Sequence, residues 1–431
     1  MVARASVCMR RLARGQRAQE VGFGRFLANP RVTVDGLIKG WGDQTASAVA
    51  GRHVLALQDT TEINFHTRPG RRRGLGKIGK GSGRGALLHG MLAVDADTGN
   101  CLGLVGGQVW TRRGTVKVAH QKRPTSKKES QRWSSTAEQG KTVLAAAAMV
   151  TVISDREGDI FSAWGTVPAP NFHMIARSMH DRRLANGEGL YAAAERFAFT
   201  TTRTVILPER EGKRAARVAT LSLRFGQIEL ARPNNSRDRN LPKSVIVRFV
   251  EVIERSPPRG TEAVHWRVLT THDVADAEAA WQIIDWYKRR WVIEQFWRLL
   301  KLQGLKLEDS QLETADRLLK LVAIAAKAAV ITLQLLQARE GPNSEPATIA
   351  FSEDEIAVLD RLNGELQGAT ALQKNPHPHA SLRWAAWIIA KLGGWDGYPS
   401  SKPPGPITFK HGLEEFHAMV KGWSLRNVRM P

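Results

Sequence analysis

Tyr287, Arg290, Glu294 and Lys301 have the residue types and spacing for phosphate chemistry. The run from Trp286 to Lys301 contains no Pro or Gly and is rich in helix formers, which predicts a helix. At about 100° per residue the four side chains fall within an arc of roughly 60°, on a stripe about 21 Å long. A carboxylate flanked by two cations and a phenol suits a divalent cation beside a phosphate backbone. The plainer alternative is a solvated face knitted by i,i+4 ion pairs. Trp286, Ile293, Trp297 and Leu300 fall on a neighbouring apolar stripe, so the helix is expected to be packed and its polar stripe aimed in one direction.

Two more acids follow apolar runs of strand type. Asp59 comes after Val54 to Leu57, and Asp155 after Val150 to Ile153. Two carboxylates at neighbouring strand exits and a third from a helix can hold two divalent cations about 3.5–4 Å apart. Magnesium suits such an all-oxygen set. Acids at strand exits are also ordinary turn residues.

Three segments together resemble the DDE transposases of the IS-four family. They are Gln58, Asp59, Thr60 and Thr61; the stretch Ser154 to Ile160, with Asp155, Arg156 and Glu157; and the Tyr-x2-Arg-x3-Glu-x6-Lys spacing at Tyr287, Arg290, Glu294 and Lys301. The likeness runs from about Gln19 to near Trp423. It implies an α/β fold: an RNase H-like mixed-sheet core with a β-rich insertion and helical N- and C-terminal regions. It implies Asp59, Asp155 and Glu294 as a triad binding two Mg2+ ions, with Mn2+ able to substitute. Tyr287, Arg290 and Lys301 would grip phosphates. Trp266 matches a position that stacks a flipped base, its alternative being a packed strand tryptophan. Arg177 resembles a DNA contact and is otherwise a surface charge. The implied chemistry is nicking, hairpin formation and opening, and strand transfer. The implied partners are double-stranded DNA (transposon terminal inverted repeats and target DNA) and a second copy in a homodimer.

The elements that must position these residues are read coarsely. Residues 1–50 look helical and basic. Strands are expected at 54–57, 87–94, 101–109, 150–153 and 172–177, with a helix near 134–149. Strand-like runs interleaved with Arg between 180 and 270 read as the insertion. The expected divisions are 1–50, a partial DNA-recognition region; 51–180 and 271–340, the two parts of the core; 181–270, the insertion; and 341–431, a helical dimerisation region. Family members carry a longer N-terminal recognition region, so a shortened, regulatory remnant that binds DNA or blocks a full-length partner is the alternative function.

A net charge of +22 over 431 residues favours nucleic acid as partner through phosphate neutralisation. Cys8 and Cys101 supply neither a disulfide framework nor zinc spacing, which fits a reducing cytosol. Leu318 to Leu336 is apolar, but Lys320 and Lys327 interrupt it, so a buried helix is expected and no membrane partner. The Gly-rich segment 74–81 lacks the Ser or Thr that a phosphate-binding loop needs after its Lys. Asp95 and Asp97 read as turn residues, and Asp159 as the start of a helix. Glu157 is left open as a partner to the site.

Overall fold

The runs leading to Asp59 and Asp155 are aliphatic and rich in β-branched residues. In the computed structural model of this chain they lie side by side. The structure describes residues 1–4, 6–65, 73–79, 82–112, 128–209, 215–234, 236, 238, 240–303, 305–339, 345–398 and 400–426. The basic stretch 113–127 and Lys80 and Gly81 of the Gly-rich segment lie outside the described residues, as do Gly341 and Pro342 of the expected boundary.

The strands are β1 (His53–Asn64), β2 (Gly76–Lys77), β3 (Arg84–Asp95), β4 (Cys101–Trp110), β5 (Met149–Ser154), β6 (Phe172–Arg177), β7 (Thr201–Leu207), β8 (Arg217–Ala231), β9 (Ser244–Glu254) and β10 (His265–Thr270). They form one mixed sheet in the order β2-β3-β1-β5-β6-β10-β9-β8-β7, with β4 also paired to β3. β1, β3 and β4 make an antiparallel meander, whereas β1, β5 and β6 run parallel. The Arg-interleaved strands therefore continue the central sheet, joined to it where β10 pairs β6 through Val268–Arg177 to Thr270–Ile175.

The helices are α1 (Met9–Leu12), α2 (Arg17–Ala28), α3 (Val34–Lys39), α4 (Asp43–Ala48), α5 (Gln131–Val143), α6 (Phe161–Thr166), α7 (Leu190–Glu195), α8 (Ala277–Arg289), α9 (Trp291–Arg298), α10 (Ala315–Ala338), α11 (Glu353–Leu366), α12 (Leu382–Leu392) and α13 (Pro406–Arg426). Strand alternation divides them between the two faces of the sheet. Even positions such as Val54, Ala56 and Val152 pack with Ala137 of α5 and with Phe161 and Trp164 of α6. Odd positions such as Leu55, Leu57 and Ile153 pack with Ile284, Ile293, Phe296 and Leu318 from α8, α9 and α10. A third apolar cluster joins α11, α12 and α13 to the end of α10.

The two lysines that interrupt the apolar run explain themselves. Lys320 is buried, and its Nζ donates to the carbonyls of Leu27 and Asn29 and to Asp316 Oδ2. Lys327 Nζ donates to the Gly40 carbonyl. Both therefore tie the N-terminal helices to α10. By length and composition α10 is apolar enough to cross a membrane, but 72% of that window is buried inside the fold.

Three sequence expectations change. The strand before Asp59 does not stop there, because β3 goes on pairing it from Asp59–Gly90 to Asn64–Gly85. What ends near Asp59 is the parallel pairing with β5, last seen at Leu57–Ile153. The helix expected at 134–149 spans Gln131–Val143, and its last expected residue, Met149, already begins β5. The single helix expected from Trp286 to Lys301 is broken at Arg290, which caps both α8 and α9, and it ends in a π turn over Leu299–Gln303.

Candidate active site

The parallel register of β1 and β5 sets the two aspartates beside each other. Leu57 faces Ile153, and Asp59 and Asp155 each lie two residues further along. Both are odd-numbered and therefore point to the face that carries α8, α9 and α10. β5 ends at Ser154, and Asp155 caps a 3-10 turn (Arg156–Gly158) by accepting from the Glu157 backbone N–H at 2.8 Å.

Glu294 comes from α9 and is partly exposed. Arg290 sits between two of the acids, with Nη1 3.4 Å from Glu294 Oε1 and 4.0 Å from Asp59 Oδ2. Asp59 Oδ2 also accepts from Trp297 Nε1 at 2.9 Å. That contact needs Gly90 on the facing strand, where an added Cβ would meet the buried Trp297 ring at 3.1 Å. Burial is the main force pushing Asp59 up to about 6, and the nearby Asp155 and Glu294 charges add to it against the Trp297 bond and the Arg290 charge.

Of the other predicted residues, Arg177 and Tyr287 lie near these acids, and Lys301 and Trp266 lie beyond them. Tyr287 is 7% exposed and packs edge-on against Trp266, with ring centroids 6.0 Å apart. Burial first of all raises its pKa above that of an ordinary phenol, against the pull of the nearby Arg290 and Arg177 charges. Arg177 Nη2 donates to the His265 carbonyl at 3.0 Å, and its guanidinium lies within electrostatic reach of Tyr287, Arg290 and Asp155. Lys301 stands apart from the carboxylates. Its Nζ donates to Thr61 Oγ1 at 3.0 Å and to the Glu62 carbonyl at 3.2 Å, further along β1.

Three acids, two guanidiniums and a lysine thus share one side of the sheet around Asp59. The donor chemistry suits a hard divalent cation: three carboxylates, one of them largely shielded and raised first by that shielding and then by the charge of the others. Among the described residues, however, no group of three or more His, Cys, Asp or Glu is arranged to hold a metal ion as it stands. Each carboxylate is turned onto a protein donor: Trp297 for Asp59, the Glu157 N–H for Asp155 and Arg290 for Glu294.

Sequence reading passed over several residues that build this pocket. Trp297 was assigned only to an apolar stripe, although a buried indole N–H needs an acceptor. Asp159 does not start α6. Its buried carboxylate accepts from Trp164 Nε1 at 3.0 Å, Arg182 Nε at 2.9 Å and the Met179 N–H at 3.0 Å, fixing the loop beyond Asp155. Asp95 does make its turn, accepting from the N–H groups of Asp97 and Thr98.

No family profile matches the chain. Among solved structures the chain is similar to one titled "Cryo-EM structure of piggyBac transposase synaptic complex with hairpin DNA", with a TM-score of 0.37 and 9% identity over 90% of this chain and 57% of that one. This chain thus spans little more than half the length of that relative. A likeness that loose establishes neither a shared fold nor a shared chemistry.

Proposed function

We propose that the chain is a DNA transposase of the DDE type, built on an RNase H-like core, that cleaves and joins phosphodiesters at transposon ends. The observation that carries this reading is that Arg290 lies within 4.0 Å of both Asp59 and Glu294, with Asp155 within electrostatic reach of Asp59, the three acids coming from distant parts of the chain. An antiparallel meander followed by two parallel strands supports the core assignment. The net charge of +22 supports DNA as partner.

Asp59, Asp155 and Glu294 are the residues that would hold magnesium. Bound there, it would supply an activated water or 3′-hydroxyl and charge stabilisation of the leaving oxygen. Arg290 must then leave the carboxylates, and a substrate phosphate is its natural new partner. Tyr287, buried beside Arg290, would face the same phosphate with its phenol. Lys301 and Arg177 extend the cationic rim on either side of the acids. Trp266 lies half-buried above Tyr287 and offers a π face to a base drawn out of the duplex, where stacking is worth about 1–3 kcal/mol. Two copies paired on two DNA ends complete the proposed assembly.

The test uses the purified chain with a labelled duplex carrying the DNA that flanks its gene, and a target plasmid. Magnesium-dependent nicking and joined products, both lost in Asp155→Ala, are expected. Cleavage that persists in that variant or in excess chelator overturns the reading.

A further inference from the structure

Asp59 points to the α9 face of the sheet, so its chain neighbours Gln58 and Thr60 point to the opposite face, against α5. There a continuous line of hydrogen bonds runs from Arg132, on α5. Arg132 Nε donates to Thr60 Oγ1 at 2.9 Å. Thr60 Oγ1 lies 2.9 Å from His89 Nδ1, and His89 Nε2 lies 3.0 Å from Gln58 Oε1. Gln58 Oε1 can only accept, so His89 carries its proton on Nε2 and Nδ1 is the acceptor. In that order of protons Thr60 donates to His89 while accepting from Arg132, and every member is satisfied. His89 is fully buried, and burial together with the Arg132 charge holds its ring neutral.

The same guanidinium reaches the second acid. Arg132 Nη2 donates to Glu157 Oε2 at 2.6 Å, and the backbone N–H of Glu157 is the donor that holds Asp155. Arg132 Nη1 is taken by the Glu129 carbonyl at 2.9 Å, and the guanidinium packs over the rings of Trp110 and Trp133. Its side chain is 10% exposed. One buried cation therefore grips the residue after Asp59 directly, the residue before it through Thr60 and His89, and the turn that carries Asp155.

We propose that Arg132 is a positioning residue that sets the separation of the Asp59 and Asp155 carboxylates from the reverse face of the sheet. Resting on the function proposed above, this assigns to Arg132 the spacing of the cation site and no contact with substrate. Lysine has the charge but cannot span Thr60 and Glu157 together, because it lacks the planar fork.

Mn2+ binding to the full chain, followed by electron paramagnetic resonance, tests this without any turnover. Arg132→Met should weaken Mn2+ binding by roughly 10- to 100-fold, the range for partners that orient metal ligands. DNA affinity should hold, and cleavage should lose kcat with KM unchanged. Arg132→Lys should fall between. Thr60→Ser, which keeps the hydroxyl, should bind Mn2+ as the wild type does, whereas Thr60→Ala should follow Arg132→Met. Wild-type Mn2+ affinity in a folded Arg132→Met overturns the positioning role and leaves the proposed function standing. If that variant does not fold, equal Mn2+ affinity in Thr60→Ser and Thr60→Ala overturns it instead. A wild-type chain that binds no Mn2+ overturns the proposed function itself, and this role with it.

Discussion

At the start of β1, His53 Nε2 shares the Thr151 hydroxyl with His272 Nε2, at 2.8 and 2.7 Å, and His173 stacks on His272 with centroids 4.0 Å apart. Trp286 closes this group edge-on to His53 at 4.6 Å. Further along the same strand, Asp59 is buried among like charges, with one indole donor and a more distant guanidinium. The histidine end is made of neutral groups that satisfy each other, and burial keeps it so: His53 and His173 are lowered, and His272 falls to about 3. The carboxylate end instead gathers charged groups of both signs, with Arg290 set between Asp59 and Glu294. The difference is one of chemistry: neutral rings that satisfy one another at one end, and a carboxyl whose pKa is shifted by burial and neighbouring charge at the other, the kind of perturbation on which the proposed function draws.

The sharpest way to break that contrast is Glu294→Gln. It should abolish cleavage while leaving most DNA binding in place, as measured by end cleavage alongside a binding titration. Retained cleavage would put Glu294 among the structural residues.

Next in size is acid unfolding at the histidine end. Unfolded histidine takes up a proton near pH 6.5, whereas folded His272 does so only near 3. Stability should therefore be intact above pH 6.5 and fall as pH drops below it, by at most about 1.4 kcal/mol per pH unit from this residue. Denaturant melts from pH 7 to 4 measure the slope, and His272→Asn should flatten it.

The carboxylate end should behave oppositely. Asp59 is raised from 3.8 to about 6, so the folded chain binds the extra proton between those limits and loses stability as pH rises through them. Asp59→Asn should accordingly stabilise the metal-free chain by up to about 3 kcal/mol at pH 7.5, with the gain vanishing near pH 4. A destabilised variant at pH 7.5 would show that the Trp297 bond outweighs the crowding of charge.

Trp266→Ala is the control that touches neither set of titrating groups. Both pH limbs should stay as they are, while hairpin formation slows by the equivalent of about 1–3 kcal/mol relative to the first nick. Equal slowing of both steps would make Trp266 a packing residue.

The positions of these residues were legible for simple reasons: apolar runs of strand type announce the strands that Asp59 and Asp155 follow two residues on, and the Tyr-Arg-Glu-Lys spacing announces the helical stretch that carries Glu294. The spacing of Arg290 and Glu294 also survived the helix break, because Arg290 keeps helical torsions while capping both helices. Other features were hidden because they exist only between elements. Nothing in the basic stretch around Arg132 marks it as a link between β1 and the Asp155 turn. Gly90 reads as one glycine among 38, and only the facing Trp297 ring gives it a reason. Continuous pairing with β3 likewise carried β1 past the acid that seemed to end it.

The π turn at Leu299–Gln303 has an evolutionary consequence. Such a turn is wider than an α-helical one and is rare, and here it closes α9. Losing a single codon there would restore regular winding and swing the Lys301 amine away from β1 by about 100°. Length variation among descendants of this gene should therefore collect in surface loops and spare these five positions, however freely their apolar side chains are exchanged.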